Sequence, residues 1–308
     1  MNSMHRTQTA PASDSALIAS IVGLAREASI ELNIQDVVHL PASRALLPPG
    51  QRIYVSFLPK QSWQQTVAAS VAVRSAGFEP VPHVPVRLLP DQVTLEQTLS
   101  DLAAQAQVQE VLLIAGDYDS AVGPYENVGN VLRTGALQRA GMRRVSLAGH
   151  PEGHPKVALD TIRRAEREKL QLAVNAGLTP RLLTQFFFEP EPFLEWIEQL
   201  RGDGVQVETV AGMAGPSRLA TLFKFALRCG AGPSIRALGA RPSSFAKLFG
   251  DHGPESLVRP LAVARLRGET DFSGIHLFCF GGFLRSCEWL HAIAGGRFRL
   301  TNGGFSQD

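Results

Sequence analysis

Cysteine is scarce in this 308-residue chain: Cys229, Cys279 and Cys287 are an odd number and lack metal-ligand spacing. That argues against a disulfide framework and for a reducing compartment, the cytoplasm. No charge of one sign dominates, since 30 Lys and Arg offset 28 Asp and Glu to leave a formal net charge of +2. The basic residues are scattered among acids, which gives no electrostatic basis for nucleic acid or an anionic membrane as main partner. No apolar run reaches the roughly 18 residues that span a bilayer. The stretch Ala16–Ala25 is flanked by Asp14 and by Arg26 and Glu27, unlike a signal-peptide core. Its Leu17, Ile18, Ile21, Val22 and Ala25 fall at helical spacing with Ser13 or Asp14 as cap. The reading is a disordered tail over 1–13, then a helix lying on the domain. Also missing is a glycine-rich phosphate loop after an early strand, the usual mark of a doubly wound open sheet.

What is present is alternation. Strand-like runs at 28–33, 52–57, 78–84, 110–115, 144–149, 181–187, 205–211 and 274–280 are separated by helix-length segments. The helices are predicted over 62–75, 93–106, 127–140, 158–176, 191–201, 216–228 and 242–266. Pro80, Pro82 and Pro85 weaken the third strand, because each removes a ladder donor. Eight such units without a linker predict an α/β fold, a single (β/α)8 barrel over 14–308 with an extra N-terminal helix.

Chemistry in such barrels sits at the C-terminal strand ends. The polar residues there are Glu31, Ser56, His83, Asp117, His150 with His154, Gln185, and His276 within the last strand. Glu31 interrupts an apolar strand, where a carboxyl is either salt-bridged and solvent-facing or buried for a purpose. Asp117 follows an apolar strand and Gly116, as a turn residue or as a mouth carboxylate. His150-Pro-Glu-Gly-His154-Pro presents two imidazoles on a stiffened loop, yet no third ligand is identifiable, so a metal is not expected. Gln185 offers both a donor and an acceptor, which suits the edge of a pterin-like ring.

The motif Gly149-His-Pro-Glu-Gly-His-Pro155, followed about thirty residues later by Leu183-Thr-Gln-Phe-Phe-Phe-Glu189, resembles the methylenetetrahydrofolate reductase family. Ser29-Ile-Glu31, Ala115-Gly-Asp117 and Gly274-Ile-His-Leu-Phe278 are similar to further family motifs, in the right order. The resemblance covers about residues 28–295 and is strongest from 110 to 230. It implies hydride transfer through FAD between NADH or NADPH and tetrahydrofolate derivatives, and a homo-oligomer joined through outer helices. By the same resemblance Glu31 is the general acid, Asp117 tunes pterin and flavin, and Gln185 and Phe225 contact substrate. Ser56, His83, Gly116, Asp117, His150 and His154 match cofactor-contacting positions.

Three departures bear on that expectation. Ala115 stands where the family has arginine, His150 where it has tyrosine, and Ala173 aligns with a flavin-phosphate lysine, with Lys169 one turn earlier. Losing two cations removes charge-assisted contacts of the kind that hold a diphosphate. Weak FAD binding, another pose or no FAD are therefore all open. A divergent short branch of this kind would fit the oxidative direction, 5-methyltetrahydrofolate to the methylene form, in a demethylation pathway. The alternative is a non-redox folate- or flavin-binding barrel subunit that needs a partner.

Overall fold

The computed structural model describes residues 13–58, 60–116, 118–154, 156–218 and 251–307. Eight parallel strands close into the expected barrel in chain order: β1 (Ser29–Leu32), β2 (Arg52–Val55), β3 (Glu79–Pro85), β4 (Glu110–Ile114), β5 (Arg144–Gly149), β6 (Thr179–Thr184), β7 (Glu208–Ala214) and β8 (Gly274–Phe278). Ser29 and Ile30 of β1 pair with His276 and Leu277 of β8, which seals the ring. The N-terminal helix α1 (Asp14–Arg26) is capped by Ser13, whose hydroxyl accepts from the Ala16 amide. It buries Leu17, Ile21 and Leu24 in the shell between strands and helices.

Between strands run α2 (Leu40–Ser43), α3 (Trp63–Ser75), α4 (Gln92–Ala106), α5 (Val128–Thr134), α6 (Ala136–Arg139), α7 (Leu159–Asn175), α8 (Pro190–Gly202) and α9 (Glu255–Leu266). The helix expected over 127–140 is broken at Gly135, whose φ of 71° is left-handed. The sixth strand stops at Thr184, leaving Gln185 to Phe187 in the following loop. The seventh begins at Glu208, so Val205 and Val207 pack against the core before the strand rather than within it. Of the helices expected over 216–228 and 242–266, Ser217–Arg218 instead pairs antiparallel with Asp251–His252, α9 accounts for Glu255–Leu266, and residues 219–250 lie outside the described residues. Two elements were not expected: α10 (Phe283–Ala294) and a hairpin of β9 (Phe298–Thr301) and β10 (Gly304–Gln307).

The prolines of β3 find a physical place. Glu79 donates its amide to Gln51 on the β2 side, so alternate residues 80 and 82 face β4. There the missing donors thin the ladder, and the β3–β4 register starts only at His83 opposite Leu112.

Inside the barrel, Tyr54, Val81, Leu112, Leu183 and Val210 form an apolar cluster separate from the outer core. Side chains alternate along a strand, so the residues two positions either side of these also point inward. Two positions earlier come Arg52, Glu79, Glu110, Arg181 and Glu208; two later come Ser56, His83, Ile114, Gln185 and Gly212. The barrel thus has a charged base, an apolar waist and a mouth of neutral polar groups.

Candidate active site at the mouth of the barrel

β1 brings Glu31 to the mouth on the inward face, opposite Tyr54 in the β1–β2 register. Its side chain is 18% exposed, and burial, helped by the nearby negative charge of Asp36, pushes the carboxyl up to about 8. At neutral pH Glu31 therefore carries a proton. His83 from β3 places Nε2 3.8 Å from Glu31 Oε2, and its own burial pulls the imidazole down to about 4, so it is neutral. His276 from β8 is fully buried and is held well below the usual range, first by burial and then by His83. Its Nδ1 lies 2.8 Å from Ser29 Oγ, which fixes the ring. The ring of Tyr54 stands edge-on to His276 at 4.8 Å and to His83 at 6.2 Å. Nε2 of both histidines is buried without a hydrogen-bond partner among the described residues. Unsatisfied buried nitrogens are costly, and two of them, one 3.8 Å from a protonated carboxyl, mark a place kept for a polar ligand.

The opposite wall comes from β5 and β6. His150, Pro151, Glu152, Gly153, Gln185, Phe186 and Phe187 line one small recess. The Gln185 backbone N–H donates to the Gly149 carbonyl at 2.8 Å, which ties the two loops together at their roots, and the Gln185 side-chain Oε1 accepts the Phe186 backbone N–H at 3.1 Å. His150 and His154 stand perpendicular, with ring centroids 6.4 Å apart. Among the described residues no group of three or more His, Cys, Asp and Glu is placed to hold a metal ion. Phe186, Phe278 and Phe280 form an aromatic patch on the β6–β8 side, with Phe186 5.2 Å from Phe280 and 6.0 Å from Phe278. Gly212 makes this possible: a Cβ there would meet the Thr184 carbonyl at 2.2 Å and the Phe278 ring at 2.8 Å.

Ser56, at the end of β2, donates its hydroxyl to the Leu32 carbonyl and so ties β2 to β1. Gly116 has φ of 88°, and Tyr118 lies over it, 2.8 Å from where a Cβ would sit. Asp117 and Phe225, expected at the site, lie outside the described residues.

Comparison with known proteins decides the lineage. Residues 64–231 match the family model for methylenetetrahydrofolate reductase, more than half of the chain. The chain belongs to the methylenetetrahydrofolate reductase family. It is 27% identical over 151 residues to the 5,10-methylenetetrahydrofolate reductase of Escherichia coli, covering 49% of this chain and 48% of that one. The Salmonella typhimurium enzyme of the same name is 26% identical over 156 residues, and that of Pectobacterium carotovorum 33% over 90 residues. The alignments thus span about half the length of the Escherichia coli and Salmonella typhimurium relatives. Among solved structures, dihydropteroate synthase from Thermus thermophilus covers 86% of this chain and 92% of its own, at 11% identity and a TM-score of 0.46.

The family implies FAD, and the described residues fit that group at one end only. The mouth offers hydrogen-bonding groups suited to a ring. For the diphosphate, Ala115 and Ala173 supply no charge, and Ala173 is fully buried in the core. Lys169 does not substitute: its Nζ donates to the Ala148 carbonyl, and burial brings it down to about 8 despite the neighbouring Glu166. Glu166 itself is saturated by the His150 amide at 2.8 Å, Arg163 at 3.0 Å and the Trp196 indole at 3.1 Å. Although burial pushes it up, the contact with His150 and the charges of Lys169 and Arg163 hold it at about 2. This cluster closes on itself, so Ala115, Ala173 and Lys169 supply no free cation for a diphosphate.

Sequence reasoning brought Glu31, Ser56, His83, Gln185, His150 and His154 to one end of the barrel, where the structure has them. It missed Tyr54, which reads as one aromatic among apolar neighbours, and Glu166, which reads as a solvent-face charge in an amphipathic helix. Only the spacing from Tyr54 to Ser56, two inward positions on one strand, could have flagged the former.

Proposed function

We propose that this protein interconverts 5,10-methylenetetrahydrofolate and 5-methyltetrahydrofolate by hydride transfer, with Glu31 as general acid. The arrangement that carries this reading is a carboxyl at the barrel mouth, held protonated at neutral pH by burial and lying 3.8 Å from the neutral His83 imidazole. Opening the five-membered ring breaks the bond between the one-carbon unit and N10. The bonding electrons go to N10, which takes the proton from Glu31, and an N5 iminium remains. Hydride addition to that iminium carbon gives the N5-methyl group. In the oxidative direction the ionised Glu31 takes the proton back, which would serve a demethylation pathway fed with methyl groups as 5-methyltetrahydrofolate.

Gln185, tethered to Gly149, is suited to the pterin edge, and the Phe186–Phe278–Phe280 patch to a flat ring. The family resemblance names FAD with NADH or NADPH as the hydride source, while Ala115, Ala173 and the engaged Lys169 weaken the case for holding its diphosphate. The second reading, a folate-binding barrel without redox activity, is favoured by that same misfit.

The test is anaerobic incubation with 5-methyltetrahydrofolate, with and without added FAD, following the flavin band and the folate products. Methylene-folate formation that depends on Glu31 supports the enzyme reading. Folate binding without turnover under every donor and acceptor tried favours the binding-subunit reading instead.

A further inference from the structure

The base of the barrel holds a second cavity, at the end opposite the catalytic mouth. It measures about 500 Å³ and is lined by Arg26, Arg52, Arg74 and Arg144, by Glu27, Glu79 and Glu110, and by glutamines from the adjoining turns. That volume falls within the range of small-molecule sites. Its charges are not evenly spent. Glu79 is bound to Arg74 at 2.6 Å, and Glu27 to Arg265 at 2.9 Å. Glu110 takes the Ser146 hydroxyl at 2.6 Å and Arg181 at 3.3 Å. Every carboxylate of the lining therefore has its cation. The cations are not all matched: Arg144 has no ion pair or side-chain hydrogen bond among the described residues, and Arg52 reaches only Glu208, at 4.0 Å. Gln107 and Gln109 accept hydrogen bonds through their backbone carbonyls, while their side-chain amides have no partner among the described residues. The lining thus presents spare N–H donors and a spare positive charge beside acids already neutralised.

We infer that this cavity binds a small anion, a carboxylate or a phosphate, with the Arg144 guanidinium as principal ligand and Gln107 and Gln109 as neutral donors. Guanidinium pairs with either anion through two parallel N–H bonds, which gives both strength and orientation. The pairing of the other charges explains why a cation would not be taken: no carboxylate is left for it.

The test uses the full chain and two probes, inorganic phosphate and malonate, each titrated against sodium chloride at matched ionic strength. Thermal unfolding of the wild type should rise by a few degrees with at least one probe, and the stronger probe identifies the anion class. Arg144→Gln should keep the ligand-free midpoint, because the side chain is exposed and unpaired, and lose about tenfold or more in apparent affinity. Gln107→Ala, in the turn whose Gln109 carbonyl accepts the Arg144 backbone amide, should weaken binding by a smaller factor. No stabilisation beyond chloride with either probe overturns the site, as does an equal response from wild type and Arg144→Gln. Should Arg144→Gln fail to fold, Gln107→Ala decides, with an undiminished response counting against the site.

Discussion

At the base of the barrel Glu110 lies 2.6 Å from Ser146 Oγ and 3.3 Å from Arg181; at the mouth Glu31, on the same inward face, has among the described residues only His83, at 3.8 Å. The buried charges of the base are paired, Arg181 with both Glu110 and Glu208 and Glu79 with Arg74, while Arg144 at the exposed rim has no ion pair among the described residues. The mouth carries groups that burial has neutralised and left short of partners. Both arrangements avoid an unpaired buried charge, the first by pairing it and the second by protonation state. The difference teaches where the barrel can do chemistry: paired charges are spent on structure, whereas a shifted carboxyl keeps a proton to give. Tyr54 joins the two, since its hydroxyl reaches Ser146 at 2.9 Å while its ring packs on His276.

The largest effect should come from unpairing the base. Arg181 is 3% exposed and bonds both Glu110 and Glu208. Arg181→Met leaves Glu110 buried without its cation and is expected to cost about 3–5 kcal/mol in urea unfolding. Adding Glu110→Gln should recover part of that loss. A double variant no better than the single one would mean that shape, rather than charge, makes Arg181 necessary.

At the mouth the same kind of change should spare stability and remove activity. Glu31→Gln keeps size and hydrogen-bonding capacity without a transferable proton. Turnover between the two folates is expected to fall at least about a hundredfold, roughly 3 kcal/mol on the barrier, with folate binding retained. Turnover at wild-type rate would take the acid role away from Glu31.

The proton on Glu31 also makes a stability prediction. The folded carboxyl sits at about 8 against an ordinary 4.5, so the folded state holds a proton that the unfolded chain releases. Its stabilising contribution is complete below pH 4.5 and is lost as pH rises to about 8, by up to roughly 1.4 kcal/mol per unit. Subtracting the pH profile of Glu31→Gln from that of the wild type should isolate this slope. Identical profiles would show that Glu31 ionises normally and that the mouth is wetter than its packing suggests.

The two ends also differed in how far they could be read from sequence. Strand order and barrel closure were legible because apolar runs and helical periodicity recur, and Glu31 stood out as a carboxyl inside an apolar strand. The base was not legible. Glu110, Arg181 and Glu208 begin or interrupt strands, where charges look solvent-facing, and only the folded arrangement of neighbouring strands shows that they meet. The aromatic patch was hidden too, because Phe278 and Phe186 are about ninety residues apart and Gly212, which admits them, reads as one more small residue in β7. Local pattern assigns a residue to an element; which neighbour it faces is set by shear and closure, which the pattern does not encode.

Arg52 gives the smallest effect and the sharpest control on the base. It shares Glu208 with Arg181, but at 4.0 Å and with side chains 34% and 38% exposed, where Arg181 is 4% exposed. Water screens such a pair and side-chain entropy opposes it, so exposed pairs contribute between zero and about 1 kcal/mol. Arg52→Gln is therefore expected to shift urea unfolding by less than about 1 kcal/mol, even though it removes a member of the same charged ring. A loss comparable to that of Arg181→Met would mean that the ring acts as one cooperative unit, in which each charge supports the rest. A small loss would mean that depth decides: the base is held by the pair that water cannot reach, and its rim is left with charge to spare.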